Sequence, residues 1–531
     1  MNGILLTLLL SAIVGLALIA KKLRVPYPIV FVLGGIVLAL IPGFPTVTLR
    51  PDLVFLLFLP ALIFGDGWST DYVSFKRFYQ PIFMLAIGLV LVTSLAVAWT
   101  AHWLMGFPLA LGFVLGAILS PTDAVATEAI AEDVHLPRRL ATIINGESLI
   151  NDATGLVTYR FAVIAVATGA FSLLGATEQF LYVAVAGVAV GLGGAWLIAA
   201  IASAIRRWGL ADELITVSIS LVTPFALYVP ADAIGASGVL AAMSGGIYLS
   251  RVSNKIFDAP SRIAAAAVWD LLFFVFNGAA FVLIGLQLRA IARGFGGPHL
   301  GTVICWSLAI ALVVIAVRFV WMFPASYGRR LIFPRIAARE GPVPHWTHVF
   351  VLSTAGMRGI VSLAAALALP ERIGGGAAFP QRDLILFVTF VVIVVTLVGE
   401  GLAMPWLIRR FGVTADDEDS YVAAGARVRL ATAALERLRA LEPGFSSTGE
   451  WEVAGQIHAE YERRITHYTA HVDGIDPETD AQEHDIARRL WAEAHAAERE
   501  ALIALRRRGE IADDVYRQLE WDIDLAESRL E

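Results

Sequence analysis

Apolar runs of roughly 17–25 residues recur along the chain as far as residue 410, and short polar segments separate them. Runs of this length are typical of α-helices that cross a bilayer. Thirteen such runs are predicted as spans, at residues 2–20, 26–42, 52–66, 79–104, 108–132, 139–168, 178–206, 211–230, 235–250, 264–291, 300–325, 346–370 and 380–410. The pattern therefore predicts an all-α polytopic membrane protein, with a membrane domain over residues 1–412.

The pattern changes after Gly412, where apolar residues recur at helical spacing among charged ones, as in "VRLATAALERLRALE". Residues 413–531 are therefore predicted to form a solvated helical domain. The segments "EPGFSSTGE" and "VDGIDPETD" divide it into three or four helices. A packed bundle or dimer contact is one interpretation of this tail, and a regulatory sensor is the other.

Composition supports this division. The 531 residues are 57% hydrophobic with a mean hydropathy of +0.71, which excludes an ordinary soluble protein. Residues 1–412 carry 26 Lys and Arg against 19 Asp and Glu, whereas residues 413–531 carry 14 against 27, so a basic membrane part precedes an acidic tail. Cys305 is the single cysteine, and no phosphate loop or metal motif of defined spacing is present. We expect no enzyme activity, no cofactor and no nucleic-acid partner.

The basic residues between the predicted spans indicate the orientation. One set of alternate loops holds 18 Lys and Arg, whereas the other set holds five: Arg50, Arg289, Arg293, Arg372 and Arg382. The basic loops of a membrane protein lie on the cytoplasmic side. The N-terminus is therefore predicted outside and the acidic tail in the cytoplasm. The first run ends in "KKLR" and has no cleavage site, so it is predicted as a span rather than a signal peptide.

Ionisable side chains inside a bilayer are costly, so each is a hypothesis of function. In the sixth predicted span, Glu147, Ser148, Asn151 and Asp152 fall on one stripe of a helix. This stripe predicts a polar cavity. A purely structural polar seam is the alternative.

Two spans carry signals of an interruption. Pro121, inside "GAILSPTDAVATEAI", removes a helical hydrogen bond next to Asp123, and Gly356 and Gly359 flank Arg358 in the twelfth span. Unwound segments that line a cavity are the usual membrane sites for ions. If spans 1–6 and 8–13 form two sets around a linker span, the fifth and twelfth spans hold the same position in each set. This arrangement predicts inverted repeats with crossed unwound helices.

The segments "FLPALIFGDGW", "SPTDAVAT", "NGESLINDATGLVTYRFA" and "GMRGIVSLAAALALP" occur in that order. They resemble the bacterial Na+/H+ antiporters of the cation:proton antiporter-1 family, which are related to NhaP and the animal Na+/H+ exchangers. The resemblance covers the membrane part and not the tail. It implies a homodimeric, alternating-access antiporter that serves pH homeostasis, with a dimer-forming part and a mobile ion-carrying part that includes residues 79–168 and 300–410.

The resemblance also implies roles for individual residues. Asp152 would take either a cation or a proton, and Asp123, Ser148 and the main chain of Thr122 would supply further oxygens. Na+ would thus be held at Asp152 and Asp123. Asn151 occupies the position of a second aspartate in electrogenic relatives.

A buried ion pair is implied between Glu147 and Arg358, which would hold the crossed helices in place. Arg318 is a competing partner for Glu147 and ranks below Arg358. Such a pair offsets much of the cost of burying either charge at depth.

Several acidic or basic positions have an open role. The family's acid in the third span is shifted by one position to Asp66, which is predicted either to act in ion gating or to be a cytoplasmic helix-end aspartate. Glu400 stands where a glutamine is common, and Glu128 is placed in an inner funnel. Arg160 is interpreted as a packing or snorkelling arginine, or as a charge at the outer mouth.

The predicted activity follows from competition at one carboxylate. In a narrow, partly desolvated cavity a proton and a hard cation can exchange at the same group near neutral pH. Either ligand leaves the site with the same charge, so the prediction is electroneutral, one-for-one Na+/H+ exchange. K+/H+ exchange by the same mechanism is the alternative, and a cation channel or a membrane sensor are more distant ones.

Overall fold

The computed structural model divides the chain into two compact units, Met1–Thr414 and Ala415–Glu531, next to the boundary predicted at Gly412. It describes residues 3–45, 51, 54–134, 136–169, 173–293, 300–332, 343–373, 377–413, 417–472, 477–508, 510 and 513–527. The predicted loop residues Arg50, Arg335 and Arg339 lie outside these ranges.

The described part of the first unit consists of helices joined by short connections, and α3, α5 and α14 each include a π-helical turn. The helices are α1 Gly3–Leu23, α2 Tyr27–Leu40, α3 Val54–Ser69, α4 Tyr72–Arg77, α5 Tyr79–Met105, α6 Leu109–Leu119, α7 Ala124–Val134, α8 Arg138–Thr168, α9 Leu173–Arg207, α10 Glu213–Ala233, α11 Gly238–Ile256, α12 Ala259–Leu286, α13 Leu288–Arg293, α14 Leu300–Gly328, α15 Arg329–Ile332, α16 Trp346–Ser353, α17 Ile360–Leu367 and α18 Arg382–Phe411.

The predicted all-α class is confirmed. A helix or a pair of half-helices lies at each of the thirteen predicted positions. Among the described residues, eight helices are long and apolar enough to cross a membrane. The count of thirteen spans and the inverted repeats stay predictions.

Local sequence signals explain where several helices begin and end. Asp212, Ser237 and Asp258 precede α10, α11 and α12, and each side chain accepts a hydrogen bond from a backbone N–H of the first turn. Gly106 and Gly169 end α5 and α8 in the left-handed conformation, with φ of 69° at both. These signals hold the connections short.

The helices differ in how deeply they are buried. Most residues in the apolar part of α18 and more than half of those in the apolar part of α8 are buried, whereas few residues of α1 and α9 are buried. The exposed side chains of α9 include Leu197 and Trp196. Apolar side chains that face outward in this way suit contact with lipid. The ionisable residues singled out in the sequence thus lie mainly on inner helices.

Helix α6 packs directly against α5 through two glycines. A Cβ atom on Gly112 would lie 2.7 Å from the carbonyl oxygen of Ala98, and one on Gly116 would lie 2.4 Å from that of Ser94. Small residues allow this close approach of helix backbones in membranes. The contact fixes the position of α6 just before its chain unwinds.

Both predicted interruptions are present. The fifth predicted span is divided between α6 and α7, with residues 120–123 not helical, and the twelfth between α16 and α17, with an unwound stretch over residues 354–359. Pro121 lies in the first interruption, as expected from its missing N–H. Gly356 and Gly359 lie in the second.

The second unit contains four described helices, α19 Asp417–Leu441, α20 Thr448–Val472, α21 Pro477–Arg507 and α22 Asp513–Glu527. The backbone N–H groups of Ser446 and Ser447 donate to Oε2 of Glu450, at 2.7 and 2.9 Å, at the start of α20. These hydrogen bonds lower the pKa of Glu450 from its usual value. Of the second predicted break, at residues 472–480, residues 473–476 lie outside the described residues, and Pro477 already begins α21.

Candidate cation site

The two unwound segments contact each other. The backbone N–H of Asp123 donates to the carbonyl oxygen of Met357 at 2.7 Å. A Cβ atom on Gly359 would lie 1.5 Å from Oδ2 of Asp123, so no larger side chain fits at that position without a shift. The crossing therefore brings Asp123 of one break against the backbone of the other.

Three carboxylates line one cavity at this crossing. They are Asp66 of α3, Asp123 of the first break and Asp152 of α8, and all three are half-buried. Thr122 and Ser148 line the same cavity. Among the described residues no three acidic, His or Cys side chains are close enough to hold one metal ion together, so the carboxylates share a space without converging on a point.

Asp152 and Asp123 are held differently. No hydrogen bond or ion pair reaches the Asp152 carboxylate within the described part of the chain. In contrast, Oδ1 of Asp123 accepts a hydrogen bond of 3.0 Å from the backbone N–H of Val125 at the start of α7. Asp123 is therefore fixed by a helix N-terminus, whereas the Asp152 carboxylate faces the cavity without a protein partner among the described residues.

Thr122 ties the first break to α8. The Ser148 hydroxyl donates to the carbonyl oxygen of Thr122 at 2.8 Å, and Nδ2 of Asn151 donates to Oγ1 of Thr122 at 2.7 Å. The Thr122 hydroxyl in turn donates to Oε1 of Glu147 at 3.3 Å. Three side chains of one helical face thus bind a single residue of the unwound segment.

The predicted polar stripe on α8 is divided by the structure. Ser148 and Asp152 line the cavity, whereas Glu147 and Asn151 are 1% exposed and are not among the lining residues. A stripe about 100° wide includes side chains that point to the cavity and others that point to a neighbouring helix. The structure gives Asn151 contact with Thr122 rather than with the cavity.

The predicted ion pair between Glu147 and Arg358 is wrong in its partner. Arg318 of α14 binds Glu147 with both terminal nitrogens, and the Nη2–Oε2 distance is 2.9 Å. Both side chains are almost fully buried, at 1% and 2% exposed. Arg318 also donates to the carbonyl oxygen of Leu352 at 3.3 Å, near the end of α16.

Arg358 instead binds backbone oxygens. Its Nε donates to the carbonyl oxygen of Leu119 at 3.1 Å, and its Nη1 donates to that of Gly356. A helix that ends inside a membrane leaves carbonyl oxygens without partners, and they favour a positive charge. This need explains why Arg358, which lies in the second break, donates to a carbonyl oxygen at the end of α6. The more distant Arg318 then binds the carboxylate of Glu147.

The structure also brings residues to the cavity that the sequence reasoning missed. Asn277 of α12 and Ser362 of α17 both line it. Ser362 is 1% exposed, and its hydroxyl has no hydrogen-bond partner among the described residues. An isolated amide in the apolar run "FFVFNGAAF" was a usable signal for Asn277, whereas a serine in an apolar helix is too common to be one.

Other predicted positions lie in different surroundings. Asp66 lines the cavity, which favours a role at the site over that of a simple helix-end aspartate. Glu128 is not among the lining residues and accepts a hydrogen bond from Nδ2 of Asn145 on α8. Arg160 forms an exposed ion pair with Asp232 of α10 at 3.3 Å, so its partner is a surface carboxylate.

Apolar helices of spanning length, two crossing interruptions and an acidic cavity between them define a multi-pass membrane transport protein. The family model described as "Sodium/hydrogen exchanger, transmembrane" matches residues 8–410. The chain belongs to this family of transporters, which are monovalent cation/proton antiporters.

Relatives support this assignment along nearly the whole chain. An uncharacterized Na(+)/H(+) exchanger of Mycobacterium tuberculosis is 35% identical over 98% of this chain and 95% of its own length. The sodium, potassium, lithium and rubidium/H(+) antiporter of Bacillus subtilis is 30% identical over 98% of this chain and 77% of its own length. The resemblance expected from the sequence motifs is confirmed.

A solved structure has the same fold. The sodium proton antiporter MjNhaP1 from Methanocaldococcus jannaschii superimposes with a TM-score of 0.61, over 77% of this chain and 98% of its own. The sequences are 19% identical, so the likeness concerns the fold alone.

Proposed function

We propose that this protein exchanges one monovalent cation, Na+ in the first place, for one proton at Asp152. The observation that carries the proposal is the Asp152 carboxylate, which lines the cavity with Asp123 and has no partner among the described residues. Asp123 and Gly359 lie in contact at the crossing, so a cation beside Asp123 would be next to both unwound segments. Exchange at one group needs no separate coupling device.

The groups around Asp152 suit a hard cation, which prefers oxygen ligands. The carboxylates of Asp152 and Asp123, the Ser148 hydroxyl and the Thr122 carbonyl are all available near the cavity. The hydroxyl already donates to the carbonyl, and its oxygen keeps lone pairs that can bind a cation. The cation would therefore complete a set of oxygens that are already partly ordered.

Electroneutral exchange follows from the charge at the site. A cation or a proton on Asp152 gives the site the same net charge, so the step that crosses the membrane is insensitive to voltage. The neutral Asn151 supports this stoichiometry, because a second aspartate there would permit two protons per cation. Asp66 lines the same cavity, where its carboxylate would attract cations without itself exchanging the proton.

We assign the transport step to alternating access within the membrane unit. Residues 79–168 and 300–410 would form the mobile part, and the other helices would form the contact between the subunits of a homodimer. The basic loops support an N-terminus outside and a tail in the cytoplasm, in a bacterial inner membrane. Exchange of this kind would serve pH homeostasis.

A transport assay with Asp152→Asn tests the proposal. In proteoliposomes that contain a pH-sensitive dye, addition of Na+ should release the internal protons through the wild type at a rate that does not change when valinomycin sets the voltage. Asp152→Asn should reduce the signal to that of empty liposomes. Because the Asp152 carboxylate has no partner within the described part of the chain, the melting temperature of Asp152→Asn should remain close to that of the wild type.

Retained exchange by Asp152→Asn would overturn the site assignment, and a rate that follows the imposed voltage would overturn electroneutrality. Asp232→Asn is a matched control, since Asp232 is an exposed aspartate in a surface ion pair. It should transport as the wild type does.

K+/H+ exchange by the same mechanism is a second candidate. Its support is the Bacillus subtilis relative, whose name gives potassium, lithium and rubidium beside sodium. Additions of Na+, Li+ and K+ at equal concentration to the same proteoliposomes rank the cations. A K+ response equal to or above the Na+ response, absent in Asp152→Asn, would favour this candidate.

A further inference from the structure

Glu400 of α18 is a buried acid that the proposed exchange does not use. It is 7% exposed, and in the described part of the chain neither of its carboxylate oxygens has a hydrogen-bond partner. A buried carboxylate without hydrogen bonds is costly, so its retention calls for a physical explanation.

Glu400 faces both buried arginines across Gly356. A Cβ atom on Gly356 would lie 3.1 Å from Oε2 of Glu400, 3.1 Å from Nη1 of Arg358 and 2.8 Å from Cδ of Arg318. Three side chains thus close around one glycine of the second break. Together with Glu147, which Arg318 binds, they form a buried charge cluster of Glu147, Arg318, Arg358 and Glu400.

The charge of this cluster depends on one member. Arg318 and Glu147 form a salt bridge through two hydrogen bonds, so their opposite charges compensate each other. Glu400 has no contact of full hydrogen-bond geometry with the described residues. Opposing influences act on its charge: dehydration acts against it, and the two arginines and the nearby backbone N–H of Gly356 act for it. The cluster is neutral when Glu400 is ionised and carries +1 when Glu400 is protonated.

The other helices packed on α18 add little that would fix the charge of Glu400. Helices α2 and α6 carry no charged residue, and the arginines are the charges that act on Glu400 among the described groups. The other described titratable or charged side chains on α18 lie at its ends: Arg382, Asp383, Arg409 and Arg410. Those on the neighbouring helices have other surroundings: Tyr27 at Phe31, Arg289 at Phe44, Glu128 at Asn145, Tyr327 at Pro344, His348 in a cavity with Arg139, and the exposed Cys305.

The cluster is joined to the cation site by two residues of backbone. Arg358 lies between Met357, whose carbonyl oxygen accepts the N–H of Asp123, and Gly359, which contacts the Asp123 carboxylate. A gain of positive charge in the cluster therefore acts on a cation bound at Asp123 and Asp152 through a short, buried path.

We propose that Glu400 is a second proton-binding group, and that its protonation lowers the affinity of the neighbouring site for the cation. The proposal rests on the proposed exchange at Asp152. Glu400 does not touch the cation. It acts through Arg358 and the crossing, where its own charge changes the net charge beside the cation site, so it is a positioning residue.

The test is the KM for Na+ of the wild type and of Glu400→Gln, measured in proteoliposomes over a range of pH. The glutamine is neutral at every pH and mimics the protonated form. At alkaline pH, where Glu400 of the wild type is ionised, the variant should have a KM roughly three- to tenfold higher, as expected for one unit charge at a distance on the order of 10 Å in a buried setting. At acid pH the two KM values should converge, because the wild type is then protonated as well.

A ratio of KM values that stays constant across pH, or no difference at any pH, would overturn the proposal. A merely structural role would lower yield or maximal rate without this convergence. Glu400→Asp keeps a carboxylate and should keep the pH-linked change in KM at a displaced midpoint. It is also the variant to use if Glu400→Gln does not fold, and a pH profile identical to that of the wild type would then contradict the proposal.

A second measurement separates this proposal from the exchange mechanism. The infrared band of protonated carboxylic acids is recorded in the purified protein as the pH is raised. One component of this titration should be absent from Glu400→Gln and present in Asp152→Asn. Failure of the Asp152 assignment would show as transport by Asp152→Asn. Failure of the Glu400 assignment would show as an unchanged infrared titration in Glu400→Gln.

Discussion

The two interrupted helices cross at one point and have opposite chemistry. The first break, between α6 and α7, contains Pro121 and brings the carboxylate of Asp123 to the cavity. The second, between α16 and α17, contains no proline and brings the guanidinium of Arg358 into the protein interior, at 2% exposed. The first break therefore supplies a side-chain acceptor and the second supplies a side-chain donor.

The difference also concerns how each break is stabilised. The carbonyl oxygen of Leu119, at the end of α6, accepts from Arg358 of the second break. That of Leu352, near the end of α16, accepts from Arg318 of α14. The first break thus depends on the second, whereas the second depends on the buried pair of Arg318 and Glu147. Changes around the second break should reduce stability first, and changes where the first break faces the cavity should reduce transport first.

The largest effect is expected for Arg318→Met, which leaves Glu147 buried without its counter-charge. Loss of one partner of a buried pair costs about 3–5 kcal/mol. The variant should give little folded protein, measured as the monodisperse yield and melting temperature in detergent. Arg160→Met is the matched control, because Arg160 pairs with Asp232 at the surface and both side chains are largely exposed. It should change the stability by less than about 1 kcal/mol.

The double variant Glu147→Gln with Arg318→Met sharpens this prediction. Removing both charges abolishes the uncompensated carboxylate, so part of the lost stability should return. Two outcomes would show that the pair of Glu147 and Arg318 does not support the second break. One is a melting temperature of Arg318→Met within a degree of that of Arg160→Met, and the other is a double variant less stable than Arg318→Met alone.

The next effect is expected for Gly359→Ala, at the contact between the breaks. The new methyl group would meet the Asp123 carboxylate at 1.5 Å, so Asp123 or the second break must move. Exchange in proteoliposomes should fall at least about tenfold, as expected for a displaced ligand group. Gly399→Ala adds the same atom on α18 where nothing lies within 4 Å, and it should transport as the wild type does. Equal rates for the two variants would show that the crossing tolerates displacement of Asp123.

The two breaks also differ in how well they could be predicted from the sequence. Pro121 beside Asp123 located the first break, and the flanking glycines located the second. Proline alone does not decide, since α10 continues through Pro224 and Pro230 and α18 continues through Pro405. Helix positions followed from apolar runs for the same reason: length and hydrophobicity have a direct physical meaning in a membrane.

The partners of the buried charges were less predictable. Position within one helix gives the direction of a side chain to about a quarter turn, which united Glu147 and Asp152 on one stripe although they face different neighbours. The choice between Arg318 and Arg358 depended on which backbone carbonyls lack a donor at the crossing, and no sequence spacing contains that information. The arrival of Asn277 and Ser362 at the cavity likewise depends on the packing of α12 and α17.

The smallest effects are expected for two threonines that serve the two breaks. Thr122→Val should destabilise by about 1–3 kcal/mol, because it removes the acceptor of Asn151 and a donor to Glu147 in a buried position. Thr396→Val should cost about 1 kcal/mol, since it removes the acceptor of a single hydrogen bond of 3.3 Å from the backbone N–H of Arg358.

Both substitutions replace a threonine hydroxyl by a methyl group, and the two hydroxyl groups have different partners, so the melting temperatures of the variants compare the breaks directly. Thr122→Val should also raise the KM for Na+, because the carbonyl of Thr122 is held by Ser148 beside the cavity. Thr396→Val, which lies behind Arg358, should leave the KM unchanged. A rise in the KM for Na+ confined to Thr396→Val would reverse the roles assigned to the two breaks.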